Sequence, residues 1–518
     1  MDYLYDVVII GAGPGGLQTA LTLQEIASES QKDLKLLVIE EGEKAGTFFE
    51  NFPVHGTLIS NNKLYTGKTS RHRYSERFDW NSLITKDKKI LMRNYSREFF
   101  PKREALVEML NDLVEEYRIP VKYKTKWENT KKDEFGNFEV YTSQGVYKTK
   151  YLVVAAGMGF KQADIEGIEH TTPYPAMKKK EFYKDKRVLI LGKGNSGMEC
   201  AQEILNEANF IMLASPSSVN MAYKTHYVGH VRAVNALLID NYQLKHQAGL
   251  LDCNIQRIEK NKDGYNVTVK YVHAEGEIET LFFHEVISAT GFTSNITALS
   301  DLNIDTLYDG KYPAIKSNFE SVNHSNLFFA GTQTHGLDYK KTFSGFIHGF
   351  RYNSKILANI LAEKLNYELT YQIVHNDEII NYILEEFNDS PDLYLQPGYV
   401  VKVFEYKEGE WRDLGHVTLE YFKTSLNVGR DKYLMALSLE YGDIHKFQDP
   451  LSIPRSPGDI NASVHIHPVI RVKTSGYYKK YELEEDLENQ FLNDDKYHSS
   501  LLEVLKKIQV SYEELTVK

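Results

Sequence analysis

One signature constrains this chain more than any other, and it occurs twice. Residues 7–20 read VVIIGAGPGGLQTA and residues 188–201 read VLILGKGNSGMECA. Each is a short apolar strand, a glycine turn and the start of a helix. In the first, Gly11 permits the tight turn out of the strand, Gly13 lets the backbone approach a diphosphate, and Gly16 lets the helix pack close to the sheet. Pro14 falls within the same turn. A diphosphate then lies on the helix N-terminus, where free N–H groups and the helix dipole favour negative charge. Glu40 closes the next apolar run, LKLLVIEE (34–41), where a carboxylate binds ribose hydroxyls. A strand before, a helix after and an acid at the second strand end make this more than a bare glycine motif.

The second turn carries Gly192, Gly194 and Gly197, with Asn195 and Ser196 between them. Its second strand ends in LASPSS, placing Ala214, Ser215, Ser217 and Ser218 where the ribose acid would stand. An acid there repels a 2′-phosphate, whereas hydroxyls and the nearby Lys224 accept one. The expectation is therefore NADPH rather than NADH.

At 518 residues and 42% hydrophobic, the chain is long enough for two or three cores. Buried strands are expected at 4–10, 150–157, 210–215, 284–292 and 326–334, with helices at 16–27, 103–117 and 345–365. Residues 46–100 show no clean periodicity. Beyond 366, helical stretches at 372–388 and 499–508 flank β-like runs at 399–406 and 434–441. The expected fold is α/β: two Rossmann-like dinucleotide-binding domains with a C-terminal α+β appendage. The expected division is a first dinucleotide-binding domain from 1–158 and 285–365, an NADPH-binding domain at 159–284, and an appended region at 366–518.

Net charge is −10 and no basic block occurs, which argues against a nucleic acid partner. No apolar run approaches the roughly 20 residues of a membrane span. No secretory leader or retention tail is evident, and the chain holds two cysteines, so a cytoplasmic setting is expected. Cys200 and Cys253 are far apart in sequence and form no closely spaced thiol pair. Two buried apolar thiols are the simpler reading.

Two dinucleotide domains, one inserted in the other, resemble the two-domain flavoprotein oxidoreductases, with FAD at the first site and NAD(P)H at the second. VVAAG (153–157) and ISATG (287–291) resemble the hinge strands of that superfamily. LFFAGT (327–332) resembles its last FAD element, with Gly331 and Thr332 in a turn that lacks the aspartate of many relatives. The departure is similar to class B flavin monooxygenases, in which NADP⁺ held against reduced flavin shields a C4a-hydroperoxide. That species oxygenates a nitrogen, a sulfur or a ketone. Their hallmark FxGxxxHxxx(Y/F) is not intact here; residues 165–182 have Gly167 and His170 at another spacing. Longer runs resemble the FAD-dependent oxidoreductase domain-containing proteins of the endoplasmic-reticulum flavoprotein associated with degradation type. They are FPVHGTLISNNKLYTGK (52–68), FDWNSLI (78–84), THYVGHVRAVNALLIDNYQLK (225–245), SGFIHGFRY (344–352) and HPVIRV (467–472). Flavin chemistry is what this resemblance implies. A role in lumenal degradation is not carried over.

Within these runs, Asn61, Asn62 and Lys63 are catalytic candidates because flavin monooxygenases resemble LISNNKLYTG with an asparagine near the reactive flavin edge; a plain loop is the alternative. His348 opens a helix whose amides could stabilise reduced flavin, or is a packing histidine. His226, Tyr227, His230 and Arg232 are candidates for nicotinamide nucleotide or substrate, Arg232 foremost because its fork suits phosphate; a structural linker is the alternative. His465 and His467 share a strand face without further ligands in view, so no metal is expected.

The functional expectation is an FAD-containing, NADPH-dependent monooxygenase that uses O2 to oxygenate a small nucleophilic substrate, with N-hydroxylation of an amine as the example. A homodimer is left open. The rivals are a reductase serving a separate disulfide or quinone partner, and a non-enzymatic flavoprotein scaffold with 366–518 as a docking module.

Overall fold

A computed structural model describes residues 3–68, 72–243, 248–426, 428, 432–442, 464–492 and 495–516. The first sheet is built around strand Leu4–Ile10, which runs parallel to Leu36–Ile39 on one side and to Gly145–Val154 on the other. Val121–Lys122 and Leu327–Phe329 extend it in parallel, and Trp127–Lys132 and Phe138–Thr142 close it as an antiparallel hairpin. Val7, Val8, Ile9 and Ile10 are buried together, as a parallel sheet covered on both faces requires. Helices Pro14–Glu29 and Ile347–Lys364 pack against each other, although more than three hundred residues separate their starts.

The second sheet repeats the plan. Arg187–Leu191 runs parallel to Phe210–Ser215 and to Glu285–Ser288, and Phe210–Ser215 runs parallel to Ala248–Lys260. Tyr265–Tyr271 and Ile278–Phe283 add antiparallel strands. Strand Glu285–Ser288, which the sequence reading assigns to the first sheet's second part, belongs to this sheet instead. Its apolar run satisfies either sheet, and only the pairing with Val188–Leu191 decides. The chain enters and leaves the insert through Met158–Phe160 and Phe292–Ser294, which pair antiparallel.

The C-terminal region forms a third, six-stranded antiparallel sheet. Its edge strand Gln372–Val374 occupies the start of a stretch expected to be helical; the helix begins later, at Ile379–Asp389. This region grips the first unit. Buried Arg77 donates to the carbonyls of Phe387 (2.9 Å) and Ser390 (3.1 Å), and Arg73 makes a two-pronged ion pair with Glu386 at 2.6 and 2.7 Å. Gln396 accepts from the Phe343 N–H (3.0 Å) and donates to Ser344 Oγ (2.9 Å). A 490 Å³ cavity lies along this seam, and its lining includes the Lys402–Asp413 ion pair at 2.6 Å and His416 Nε2 at 2.8 Å from Asp392 Oδ2. Among the described residues, no helix is long and apolar enough to cross a membrane.

Candidate functional site

The two glycine turns are near copies at the level of atoms. The Gly11 N–H donates to the Ile39 carbonyl and the Ala155 N–H to the Ile10 carbonyl, both at 2.8 Å. In the second unit the Gly192 N–H donates to the Ala214 carbonyl at 2.8 Å and the Ala289 N–H to the Leu191 carbonyl at 2.9 Å. Gly11 (φ +101°) and Gly192 (φ +118°) hold a conformation that side chains rarely adopt. A Cβ there would sit 2.5 Å from the Ala155 oxygen or 2.4 Å from the Ala289 oxygen. Gly13 and Gly194 differ from these. Each caps its helix with ordinary extended backbone, and a Cβ on either would meet nothing within 4 Å among the described residues. The protein itself does not need glycine at these two positions, which suits backbone kept bare for a ligand. Pro14 and Ser196 lie in the first helical turns behind these caps. Gly16 and Gly197 instead face the Gly11 and Gly192 carbonyls of their own turns.

Glu40 ends its strand as expected. Its Oε1 accepts the Gly42 N–H (2.8 Å) and the Thr47 hydroxyl (3.0 Å), and its Oε2 accepts the Ala12 N–H (2.8 Å). One accepting position on Oε2 remains, enough for a ribose hydroxyl. At the matching place in the second unit, Ser215 Oγ donates to the Ser217 carbonyl at 3.0 Å. A residue the sequence reading missed stands beside it. Strand register pairs Ser215 with Asp252, whose carboxylate accepts from Ser218 Oγ (2.5 Å) and from Lys193 of the glycine turn. Lys193 and the Ser218 hydroxyl hold the Asp252 carboxyl below its usual range despite partial burial. The acid absent from one strand end is thus present on the next, paired to a buried lysine. No local spacing rule reaches across that strand.

Between the cradles, residues from both units converge. Arg232 donates to Asn61 Oδ1 (3.1 Å) and lies over the Trp80 ring (5.1 Å). Asn195 holds the loop carrying Arg232: its Oδ1 accepts the Arg232 N–H (3.0 Å) and Asn235 Nδ2 (2.9 Å), and its Nδ2 donates to the carbonyls of Gly229 and His230. His55 accepts the Thr57 N–H on Nδ1 (3.1 Å), so Nε2 carries the hydrogen and donates to Asn235 Oδ1 (2.8 Å). Tyr227 meets His335 at 2.9 Å across the same boundary. Asn62 and Lys63 do not join the cleft. The Asn62 amide donates to the carbonyls of Ser96 and Glu98, fastening its own loop, and exposed Lys63 lies against Phe78. His226 caps a short helix with left-handed backbone, and His230 bonds Thr225.

His348 begins helix Ile347–Lys364, fully buried, stacked on Trp80 (centroids 4.1 Å apart) and on Phe346 (5.8 Å). Among the described residues, neither ring nitrogen has a hydrogen-bond partner. Burial, with Arg351 and Arg232 adding to it, holds this imidazole well below its usual range. A buried imidazole with two unmet nitrogens at a helix N-terminus is costly by itself and fits a ligand bearing polar atoms. Gly331 (φ +65°) and Thr332 lie where Leu327–Phe329 ends, with Gly331 against the first cradle at Gly15. The bare Gly13 and Gly194 backbones and the unmet His348 nitrogens together fit two dinucleotides.

Cys200 and Cys253 are both buried, and burial pushes both thiols up, Cys253 to about 11. Gly167 turns the chain against the Ile258 carbonyl, and Tyr265 donates to the His170 carbonyl, so both residues of the broken hallmark act in packing. His467 Nδ1 meets the His465 carbonyl at 3.0 Å. Among the described residues, no group of three or more His, Cys, Asp or Glu is arranged for a metal.

Two Rossmann-like sheets, each with its glycine cradle and joined by Arg232–Asn61, His55–Asn235 and Tyr227–His335, give the plan of a two-domain flavin-dependent oxidoreductase. Residues 8–331 match the family model described as pyridine nucleotide-disulphide oxidoreductase, and the chain belongs to that family. It is similar to the mouse (Mus musculus) FAD-dependent oxidoreductase domain-containing protein 2, at 30% identity over 93% of this chain and 77% of that protein. Its fold is similar to bacillithiol disulfide reductase of Bacillus cereus, with a TM-score of 0.55 and 20% identity over 70% of this chain and 100% of the other. It is similar also to the flavin-containing monooxygenase of Stenotrophomonas maltophilia, with a TM-score of 0.52 and 16% identity over the same shares.

Proposed function

We propose that this FAD-dependent oxidoreductase takes hydride from NADPH and is a monooxygenase, passing its electrons to oxygen and oxygenating a small nucleophile such as an amine. FAD occupies the Gly11–Gly16 cradle with Glu40 on its ribose, and NADPH the Gly192–Gly197 cradle. Bound FAD supplies the hydride acceptor and the site of oxygen chemistry. The protein's share is to hold the nucleotide against it and keep water out. The phosphate preference rests on Ser215 and Lys224, together with an Asp252 charge already offset by Lys193.

The bridged boundary between the two units carries the reading. Arg232–Asn61, His55–Asn235 and Tyr227–His335 tie the nucleotide unit to the flavin unit. A reductase that presents its flavin alternately to a nucleotide and to a bulky partner must open this boundary. Oxygen and a small substrate need no such opening. Oxygen uptake, NADPH loss, hydrogen peroxide and oxygenated product measured with a panel of primary amines test the proposal. Product matching most of the NADPH consumed is expected. NADPH oxidation recovered wholly as peroxide, with brisk reduction of an added low-molecular-weight disulfide, would replace it with the second reading. That reading is a reductase of an external disulfide, favoured by the family's membership and by the likeness to a disulfide reductase.

A further inference from the structure

Tyr227, His335 and Asp338 form a hydrogen-bonded line across the unit boundary. Tyr227 Oη lies 2.9 Å from His335 Nε2, and His335 Nδ1 lies 2.9 Å from Asp338 Oδ1. A carboxylate only accepts, so Nδ1 carries the hydrogen, Nε2 keeps its lone pair, and the Tyr227 hydroxyl donates to it. The far end is locked. Asp338 Oδ2 accepts the Ser344 N–H at 3.1 Å and the Thr342 hydroxyl. The tyrosine and imidazole planes lie within 9° of each other. His335 and Asp338 are each 2% exposed, whereas Tyr227 keeps part of its surface, so of the three only Tyr227 can meet a ligand.

We infer that Tyr227 is the proton-transfer residue of this cleft, with His335 as its proton store and Asp338 as the positioning residue behind it. The inference rests on reading the cleft as the place of flavin chemistry. A substrate X–H gives its proton to Tyr227 Oη as the tyrosine's own proton moves to His335 Nε2. The X–H and Tyr227 O–H bonds break, two new bonds to hydrogen form, and the electron pair stays on X. The imidazolium so formed is balanced by Asp338, and the reverse movement returns one proton to the product. No oxidant is consumed in this step. Other titratable or charged groups also face the line. Tyr312 and Tyr339 pack edge-on to His335, Lys311 donates to the Tyr339 hydroxyl at 2.9 Å, and His230 packs edge-on to Tyr227 with Lys340 acting on it. Their distinct positions make single substitutions informative.

The test uses the FAD-loaded full chain and two readouts. The first is nuclear magnetic resonance of ¹⁵N-histidine-labelled protein. A downfield Nδ1–H signal is expected in the wild type, lost in His335→Gln and Asp338→Asn and kept in Tyr227→Phe. Its absence from the wild type would overturn the line itself. The second is the pH profile and solvent isotope effect of turnover. Tyr227→Phe should lower turnover about 100-fold, the scale of a lost proton-transfer group. It should also erase the isotope effect and one limb of the profile, with FAD content held constant. Tyr312→Phe, which removes a neighbouring hydroxyl outside the line, should change neither. Unchanged profile and isotope effect in Tyr227→Phe would overturn the relay alone. A wild-type chain that binds no FAD would overturn the functional reading and the relay with it.

Discussion

Gly15 and Gly331 touch across the mouth of the first cradle: a Cβ on Gly15 would lie 2.3 Å from the Gly331 Cα. The contact ties the first glycine turn to the turn after the sheet's last parallel strand. Gly13, two residues earlier, has nothing within 4 Å of the same hypothetical atom. The pair separates packing from ligand binding. Gly15→Ala should lower stability by about 1–3 kcal/mol through overpacking. Gly13→Ala should leave thermal unfolding of the FAD-free protein within about 0.5 kcal/mol of wild type, as a substitution free of contacts does, yet abolish FAD retention. Unfolding curves of the stripped protein and flavin absorbance after purification check both.

Burial makes His348 an acid-sensitive point. Its native pKa is depressed, so below the ordinary histidine range near 6.5 the unfolded chain takes up a proton that the native state refuses. Stability should be complete above about pH 6.5 and fall as pH drops below it. His348→Phe keeps a ring on Trp80 and should flatten that fall, seen as a smaller loss of denaturant midpoint between pH 7 and pH 5.

Glu199 behaves in the opposite sense. It lies buried on the second cradle's helix, accepts from the Tyr174 hydroxyl, and lies 3.4 Å from the Val54 N–H of the first unit. Burial pushes its carboxyl up to about 8 from an ordinary 4.5. The unfolded chain loses this proton near 4.5 and the native state near 8, so stability is full at low pH and falls between the two. Glu199→Gln keeps an accepting oxygen and should raise the unfolding midpoint at pH 8 while changing it little at pH 5. The slope removed is about 1.4 kcal/mol per pH unit at most.

Arg77 joins the appended sheet to the flavin side. Its guanidinium is buried, pushed down to about 10 by loss of solvent, and donates to two carbonyls of the C-terminal region. Arg77→Met should cost about 2–4 kcal/mol by leaving those carbonyls unmet. FAD affinity should fall as well, because Trp80, three residues on, anchors its indole N–H on the Arg77 carbonyl at 3.0 Å. Calorimetric unfolding and flavin titration report the two effects separately.

The glycine turns, Glu40 and the strand–turn–helix order around each turn are legible from residues alone, because each such unit closes over about thirty neighbouring residues. Strand pattern, glycine spacing and helix start are local properties of the chain, and the phosphate cradle is backbone geometry. Asn61 and Arg232 were singled out from longer runs, but their bond to each other was not. Trp80 was missed in a segment without periodicity, and Asn62, next to Asn61, proved to hold its own loop. Strand Glu285–Ser288 changed sheets because an apolar strand satisfies either one until its neighbours are known. Gly15 against Gly331, Trp80 on His348, Asp252 beside Ser215, and Tyr227 on His335 join residues that the inserted unit and the crossover strands separate in sequence. Local spacing is enough to mark two glycine cradles in the chain. The residues joining the two units come from folding, because side chains distant in the chain meet there only after both sheets have formed and docked.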